Sequence, residues 1–265
     1  MDYTINVRGR LLDLSEPKVM GILNVTPDSF YAGSRAQTKE AVLERARQLR
    51  AEGAAMLDIG ACSTRPGSEP VSEEQEMERL RMALRIVRSE ASDAVVSIDT
   101  FRPEVAAMAV KEFDADIIND VSGGSAEMFR VVTRLRVPYI LTSVEPTLHD
   151  ILLDFAGKVQ QLRDLGQKDI ILDPGFGFGK TLEQNYEVLS GMEQLQVLGL
   201  PILAGISRKS MIYRLLGTTP DESLNGTTVL NTIALMKGAD ILRVHDVREA
   251  AECIKLYGKC SSSLG

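Results

Sequence analysis

The chain has 265 residues, 44% of them hydrophobic and 25% charged, the proportions of a globular protein with material for one large core or two small ones. A net charge of −7 argues against a general nucleic-acid surface and leaves room only for a local basic pocket. Cys62, Cys253 and Cys260 have no metal-ligand spacing and cannot all pair with one another, which points to a reducing, cytoplasmic setting.

The opening "MDYTINVRGRLLDL" carries neither a basic flank with an apolar run behind it nor a stretch long enough to span a bilayer. Neither export nor membrane insertion is expected, and "TINVRGRLLDL" reads as a β-hairpin. Short apolar, β-rich runs then alternate with longer amphipathic stretches. The runs are "VMGILNV", "AAMLDIG", "AVVSID", "ADIIND", "PYILT", "DIILD", "PILAGIS" and "ADILRV", which makes eight strands. Between them, "TKEAVLERARQLRAEG" predicts a helix from a cap at Thr38 to a stop at Gly53. "SEEQEMERLRMALRIVRSE" predicts a second helix capped by Ser72, a solvated face laced by i,i+4 charge pairs and not a partner site. "NGTTVLNTIALMKGA" reads as a packed helix, and His149 as a solvated residue after the fifth strand.

A unit of roughly thirty residues repeated eight times has the size of a (β/α)8 TIM barrel. The expectation is one α/β domain over residues 1–265, with the N-terminal β-hairpin laid across the barrel floor. An open doubly wound sheet would give the same alternation, but it has a glycine-rich turn after its first strand, and this chain has none.

"DPGFGFGKT", residues 173–181, looks like a phosphate loop and fails as one. The Walker spacing needs four residues between glycines, whereas Gly175 and Gly179 leave three, and Pro174 has no N–H to give. The alternating glycines do not fit the dinucleotide pattern either. What remains is a strand ending in an acid with a glycine run behind it.

In a closed barrel the residues past each strand converge on one rim, where enzymes of this fold keep their sites. Those positions here are Asn24, "CSTRPG", Asp99, Asn119, Asp173, "SRKS" and "RVHD". Any one of them has a plain explanation, because Asp and Asn cap helices and shape turns. Seven on one rim, mixing acids with Lys, Arg and His, point to a site. Asp99, Asn119 and Asp173 suit the many N–H groups of a flat nitrogen heterocycle, and Arg65, Arg243 and His245 suit phosphate oxygens.

"NVTPDSF", "STRPG", "SIDT", "NDVSGG", "DPGFGFGKT", "ISRKS" and "RVHDV", in this order, resemble the dihydropteroate synthases of folate synthesis over nearly the whole chain. The resemblance implies a transferase that joins 6-hydroxymethyl-7,8-dihydropterin pyrophosphate to p-aminobenzoate, releasing pyrophosphate. It implies that Asp99, Asn119, Asp173 and Lys209 hold the pterin, with Arg243 against the ring face. Asn24 is expected to help hold Mg2+ on the pyrophosphate, whose oxygens meet Arg65, Arg243 and His245. Thr64, Pro66, Phe178, Lys209 and Ser210 match the p-aminobenzoate pocket, and the loops "TPDSFYAGS" and "STRPGSEP" are expected to close over the substrates. Asn24, Arg65, Asp99, Lys209, Arg243 and His245 are the residues expected to carry the reaction. The partners implied are the two small substrates and a second copy of the chain, with no nucleic acid and no membrane.

Two stretches depart from the family pattern. "LTSVEPTLHD" is short and places Thr142 where a pterin-facing methionine is common, at a loss of apolar contact worth about 1 kcal/mol. Cys62 stands where a polar residue is usual and reads as a small buried hydrophobe. These departures keep open a pterin-binding paralogue that has lost activity or changed its second substrate. A pterin-dependent methyltransferase is the weaker rival, because it would have no use for "STRPG" or "SRKS", and both are present.

Overall fold

The computed structural model describes residues 3–26, 35–62 and 71–261. An antiparallel hairpin, β1 (Thr4–Val7) and β2 (Arg10–Asp13), comes first. Eight parallel strands follow: β3 (Lys18–Asn24), β4 (Met56–Gly60), β5 (Val95–Asp99), β6 (Ile117–Asp120), β7 (Tyr139–Thr142), β8 (Ile170–Asp173), β9 (Leu203–Ala204) and β10 (Ile241–Val244). They lie in the order β8-β7-β6-β5-β4-β3-β10-β9. A single bridge between Leu172 and Ile202 joins the two ends of that order, with the Leu172 N–H donating to the Pro201 carbonyl at 2.9 Å. The eight expected strands are therefore all present, and the sheet is a barrel rather than an open array.

Nine helices stand among the described residues: α1 (Arg35–Ala51), α2 (Glu73–Glu90), α3 (Pro103–Phe113), α4 (Ala126–Leu135), α5 (Leu148–Asp164), α6 (Leu182–Ser190), α7 (Ser210–Leu216), α8 (Leu224–Met236) and α9 (Val247–Ser261). Ser72 caps α2 as expected, and with Gln75 it forms a reciprocal capping box. Helix α1 begins at Arg35, before the expected cap at Thr38. Arg, Ala and Gln at 35–37 are good helix formers and carry the helix back past that threonine. The α2 face is not simply solvated, as its pattern suggested. Glu76 is fully buried, and Arg81 and Arg88 pair across to Glu112 and Asp116 on neighbouring elements rather than along the helix. His149 is exposed on the first turn of α5, as expected.

Strand periodicity of two splits the interior into two cores. Outward side chains such as Ile98, Ile118, Tyr139 and Leu141 pack under the helices. Inward ones, Met20, Met56, Ile117, Ile140, Ile171, Leu203 and Ile241, form a separate apolar layer with Ile5, Val7 and Leu14 from the N-terminal segment. The hairpin thus seals the floor with its own apolar face, as the sequence led one to expect.

Candidate functional site at the barrel mouth

Two residues further along the same strands, the inward positions become Asp58, Ser97, Asn119, Thr142, Asp173 and Arg243. Arg243, from β10, reaches across the barrel: its Nε donates to Asp58 Oδ2 and its Nη2 to Asp99 Oδ2, each at 2.6 Å. Asn119 Nδ2 donates to the same Asp58 oxygen at 3.0 Å. Strands β4, β5, β6 and β10 are thereby joined through one charge-assisted network. Burial raises the Asp99 carboxyl to about 7, against the pull of Arg243 and with the nearby carboxylate of Asp58 adding to the rise. Burial pulls the Arg243 guanidinium down, and Asp58 and Asp99 more than reverse it, so it is held firmly charged. Asn24 stands beside Asp99: a Cβ built on Gly60 would meet Asn24 Oδ1 at 3.4 Å and the Asp99 Cβ at 3.5 Å.

The "DPGFGFGKT" stretch forms the opposite wall. Asp173 is buried at the end of β8, its carboxyl raised by that burial and held back mainly by the Lys209 ammonium. Burial lowers Lys209 to about 8, with Asp173 opposing the drop. The Lys209 ammonium lies 4.5 Å from the centre of the Phe178 ring, a cation–π contact, and donates to the Phe176 carbonyl. The glycines serve the turn, since Gly175, Gly177 and Gly179 all have positive φ. Gly175 has φ +70°, and a Cβ on it would fall 2.0 Å from the Ser143 carbonyl oxygen. Lys180 staples that turn from behind, donating to the carbonyls of Gly175 at 3.0 Å and of Ser143 and Phe178 at 3.3 Å. Burial lowers it, too, to about 8.

Of the residues expected from sequence, Asn24, Asp99, Asn119, Asp173, Phe178, Lys209 and Arg243 share this mouth. His245 and Ser207 meet just past the ends of β10 and β9, with Nδ1 and Oγ 3.1 Å apart. Ser210 opens α7 directly after Lys209 and is partly buried. Thr64, Arg65 and Pro66, with most of the two expected closing loops, lie outside the described residues. Cys62 is partly exposed rather than a buried hydrophobe, because it stands past the end of β4 at the rim, where its thiol is raised first by partial burial and then by Glu76.

Three residues were missed. Asp58 lies in the middle of "MLDIG"; the signal was a charge inside a strand of a parallel barrel, where both faces are buried. Lys180 reads as the tail of a false phosphate loop. Glu76, hidden in a charged helix, accepts from Thr100 Oγ1 at 2.7 Å and from Arg102, and so fixes the chain just beyond Asp99. Chemically, the mouth offers buried carboxylates and an amide to a ring rich in N–H groups, a guanidinium held charged at Arg243, and at Lys209 an ammonium that titrates at about 8 beside an aromatic ring.

The family model described as pterin binding enzyme matches residues 20–245. The dihydropteroate synthase of Clostridium beijerinckii is 41% identical, over 90% of this chain and 92% of that protein. That of Escherichia coli is 36% identical, over 94% and 93%. Among solved structures, Xanthomonas albilineans dihydropteroate synthase with 4-aminobenzoic acid superposes with a TM-score of 0.92 at 33% identity, covering 98% of this chain and 99% of that one. The Clostridium difficile dihydropteroate synthase in the presence of pteroic acid gives 0.89 at 33% identity, covering 93% and 97%. A barrel with buried acids and cations at its mouth, and relatives of this likeness over nearly its full length, make the chain a member of the dihydropteroate synthase family of pterin-binding enzymes.

Proposed function

We infer that the chain is a transferase that condenses 6-hydroxymethyl-7,8-dihydropterin pyrophosphate with p-aminobenzoate, giving 7,8-dihydropteroate and pyrophosphate for folate synthesis. The observation that carries this reading is the pairing, in one mouth, of a carboxylate–amide wall (Asp99, Asn119, Asp173) with the cations Lys209 and Arg243. In it, Asp173 and Asn119 take the N–H donors of the pterin, Arg243 faces the ring, and Lys209 bridges the ring side to the p-aminobenzoate side. Phe178, which already borders the Lys209 ammonium, lines the p-aminobenzoate side together with Ser210, Thr64 and Pro66. Arg65, Arg243 and His245 meet the pyrophosphate oxygens.

Mg2+ fits this mouth through Asn24. Among the described residues no cluster of three His, Cys, Asp or Glu forms a cage for a metal. A hard cation that keeps most of its waters and binds mainly to phosphate oxygens needs only one or two protein oxygens, such as the Asn24 amide beside Asp99. When bound, it offsets charge on the pyrophosphate.

The chemistry needs no nucleophilic side chain. The bond between the pterin methylene and the bridging oxygen breaks, and its electron pair leaves with the pyrophosphate, whose developing charge Arg65, Arg243 and His245 offset. The methylene cation, conjugated with the pterin and favoured by nearby carboxylates, is attacked by the neutral arylamine nitrogen, which then releases a proton. Pre-steady-state trapping is expected to show pterin–pyrophosphate cleavage, or isotope scrambling, before any C–N bond forms. Cleavage strictly dependent on p-aminobenzoate would reject this order. Calorimetry with the pterin pyrophosphate and Mg2+, followed by p-aminobenzoate, tests the function itself; net formation of pyrophosphate and 7,8-dihydropteroate with p-aminobenzoate present separates a synthase from a pterin binder or a methyltransferase.

A homodimer is also proposed. It is supported by the exposed apolar side chains Leu215, Leu216, Val229, Met236 and Leu256, all on α7, α8 and α9. We place the enzyme in the cytoplasm as a single domain over residues 1–265; no helix among the described residues is long and apolar enough to cross a membrane.

A further inference from the structure

Seven side-chain polar atoms among the described residues are buried without a hydrogen-bond partner. Four of them, Asp58 Oδ1, Ser97 Oγ, Asn119 Oδ1 and Thr142 Oγ1, sit on the inner wall of four successive strands, β4 to β7, just above the apolar floor. Such atoms destabilise a fold, and a row of them on one wall is kept where a bound molecule supplies the missing partners. Within the row, Asp58 and Asn119 already share bonds through their other oxygen and nitrogen. The hydroxyls of Ser97 and Thr142 have no hydrogen-bond partner among the described residues.

Thr142 is fully buried and pairs in register with Asp173 on the adjacent strand. Both side chains point inward, since the residues before them, Leu141 and Leu172, belong to the outer core. The Thr142 methyl lies against the Gly175 turn, 3.1 Å from where a Cβ on that glycine would stand. The hydroxyl is the branch that the protein leaves unsatisfied. A valine would fill the same volume with no polar atom to bury, so packing gives no reason for the oxygen.

We propose that Thr142 is a specificity-determining residue for the heterocycle, its hydroxyl hydrogen-bonding the bound ring beside Asp173. This rests on reading the mouth as the site of a pterin. An apolar residue at this place would offer the ring contact area alone. Threonine adds a polar check, so the chain selects rings that present a heteroatom or N–H at that edge and rejects analogues with carbon there.

The test is calorimetry of the full chain with the pterin pyrophosphate and Mg2+, comparing the unaltered protein with Thr142→Val and Thr142→Ser, together with their melting temperatures without ligand. Thr142→Val is expected to bind about tenfold more weakly, the effect of one lost hydrogen bond. Without ligand it is expected to melt about 2 °C higher, because an unsatisfied hydroxyl has been removed. Thr142→Ser keeps the affinity, and the KM for p-aminobenzoate stays unchanged in both. Binding by Thr142→Val as tight as that of the parent overturns the proposal. So does a parallel fall in affinity and melting temperature, which marks a merely structural residue. If the unaltered chain takes up no pterin pyrophosphate, the proposed function falls and this inference with it, whereas uptake by the parent with Thr142→Val unchanged removes Thr142 alone.

Discussion

The floor and the mouth of the barrel are made by the same strands, two residues apart, and differ in nearly every chemical respect. On the floor, Met56, Ile117, Ile140, Ile171 and Ile241 close against the hairpin with no polar atom to satisfy. At the mouth, Asp58, Asn119, Thr142, Asp173 and Arg243 occupy the next inward step and bury charge. The backbone can tolerate that load because its own hydrogen bonds are made by the parallel ladder beneath. The contrast separates two jobs along one strand: the lower half supplies stability, and the upper half uses some of it to hold groups that water would otherwise solvate.

Four experiments bear on that division, the largest expected effect first. Arg243→Ala should lower unfolding stability by about 3–5 kcal/mol in denaturant titration, because it leaves Asp58 charged, buried and without its cation. A loss under about 1 kcal/mol would mean that water screens the mouth network as it does a surface ion pair. Ile171→Ala, on the floor, should cost about 3 kcal/mol of stability through the cavity it opens. The pterin affinity of its folded fraction should not change, and a parallel loss of affinity would erase the boundary between the two halves. Asp173→Asn should do the reverse, weakening pterin binding by roughly 2 kcal/mol while leaving the melting temperature of the ligand-free protein level or higher. Unaltered pterin affinity in calorimetry would remove Asp173 from the site.

The smallest effect is a pH profile. The acceptor form of Asp99 exists above its pKa of about 7, and the ammonium of Lys209 below its pKa of about 8. The kcat/KM of the free enzyme should therefore rise through about 7 and fall through about 8, a narrow bell. Asp99→Asn should abolish the acid limb and Lys209→Arg should push the basic limb upward; limbs that stay in place in these variants would assign the titration to other groups.

The sequence revealed the two halves unequally. Eight apolar runs, the hairpin and the Ser72 cap were legible because each depends on neighbours within a few residues of chain. Asp99, Asn119 and Asp173 were legible as acids and amides left at strand ends. Asp58 was not, because its meaning lies in Arg243, 185 residues away, and in Asn119, 61 residues away. Glu76 was misread for the same reason: its helix pattern is that of a solvated face, and only packing against Thr100 and Arg102 turns it inward. The "DPGFGFGKT" run misleads by composition, since Gly175 and Gly179 answer to the carbonyls of Ser143 and Val144 and Gly177 to the Lys209 side chain.

The cylinder has one thin seam. Strand β9 is two residues long, and its side facing β8 is fastened by a single bridge. Asp173 stands on one lip of that seam, and Lys209, carried by the segment that follows β9, stands on the other. Asp173 and Lys209 are therefore mounted on staves with few backbone rungs between them. The Lys209 ammonium, donating to the Phe176 carbonyl, ties the two lips by a side chain where the backbone ladder is thin, whereas Asp58, Asn119 and Arg243 stand on strands joined by continuous parallel pairing.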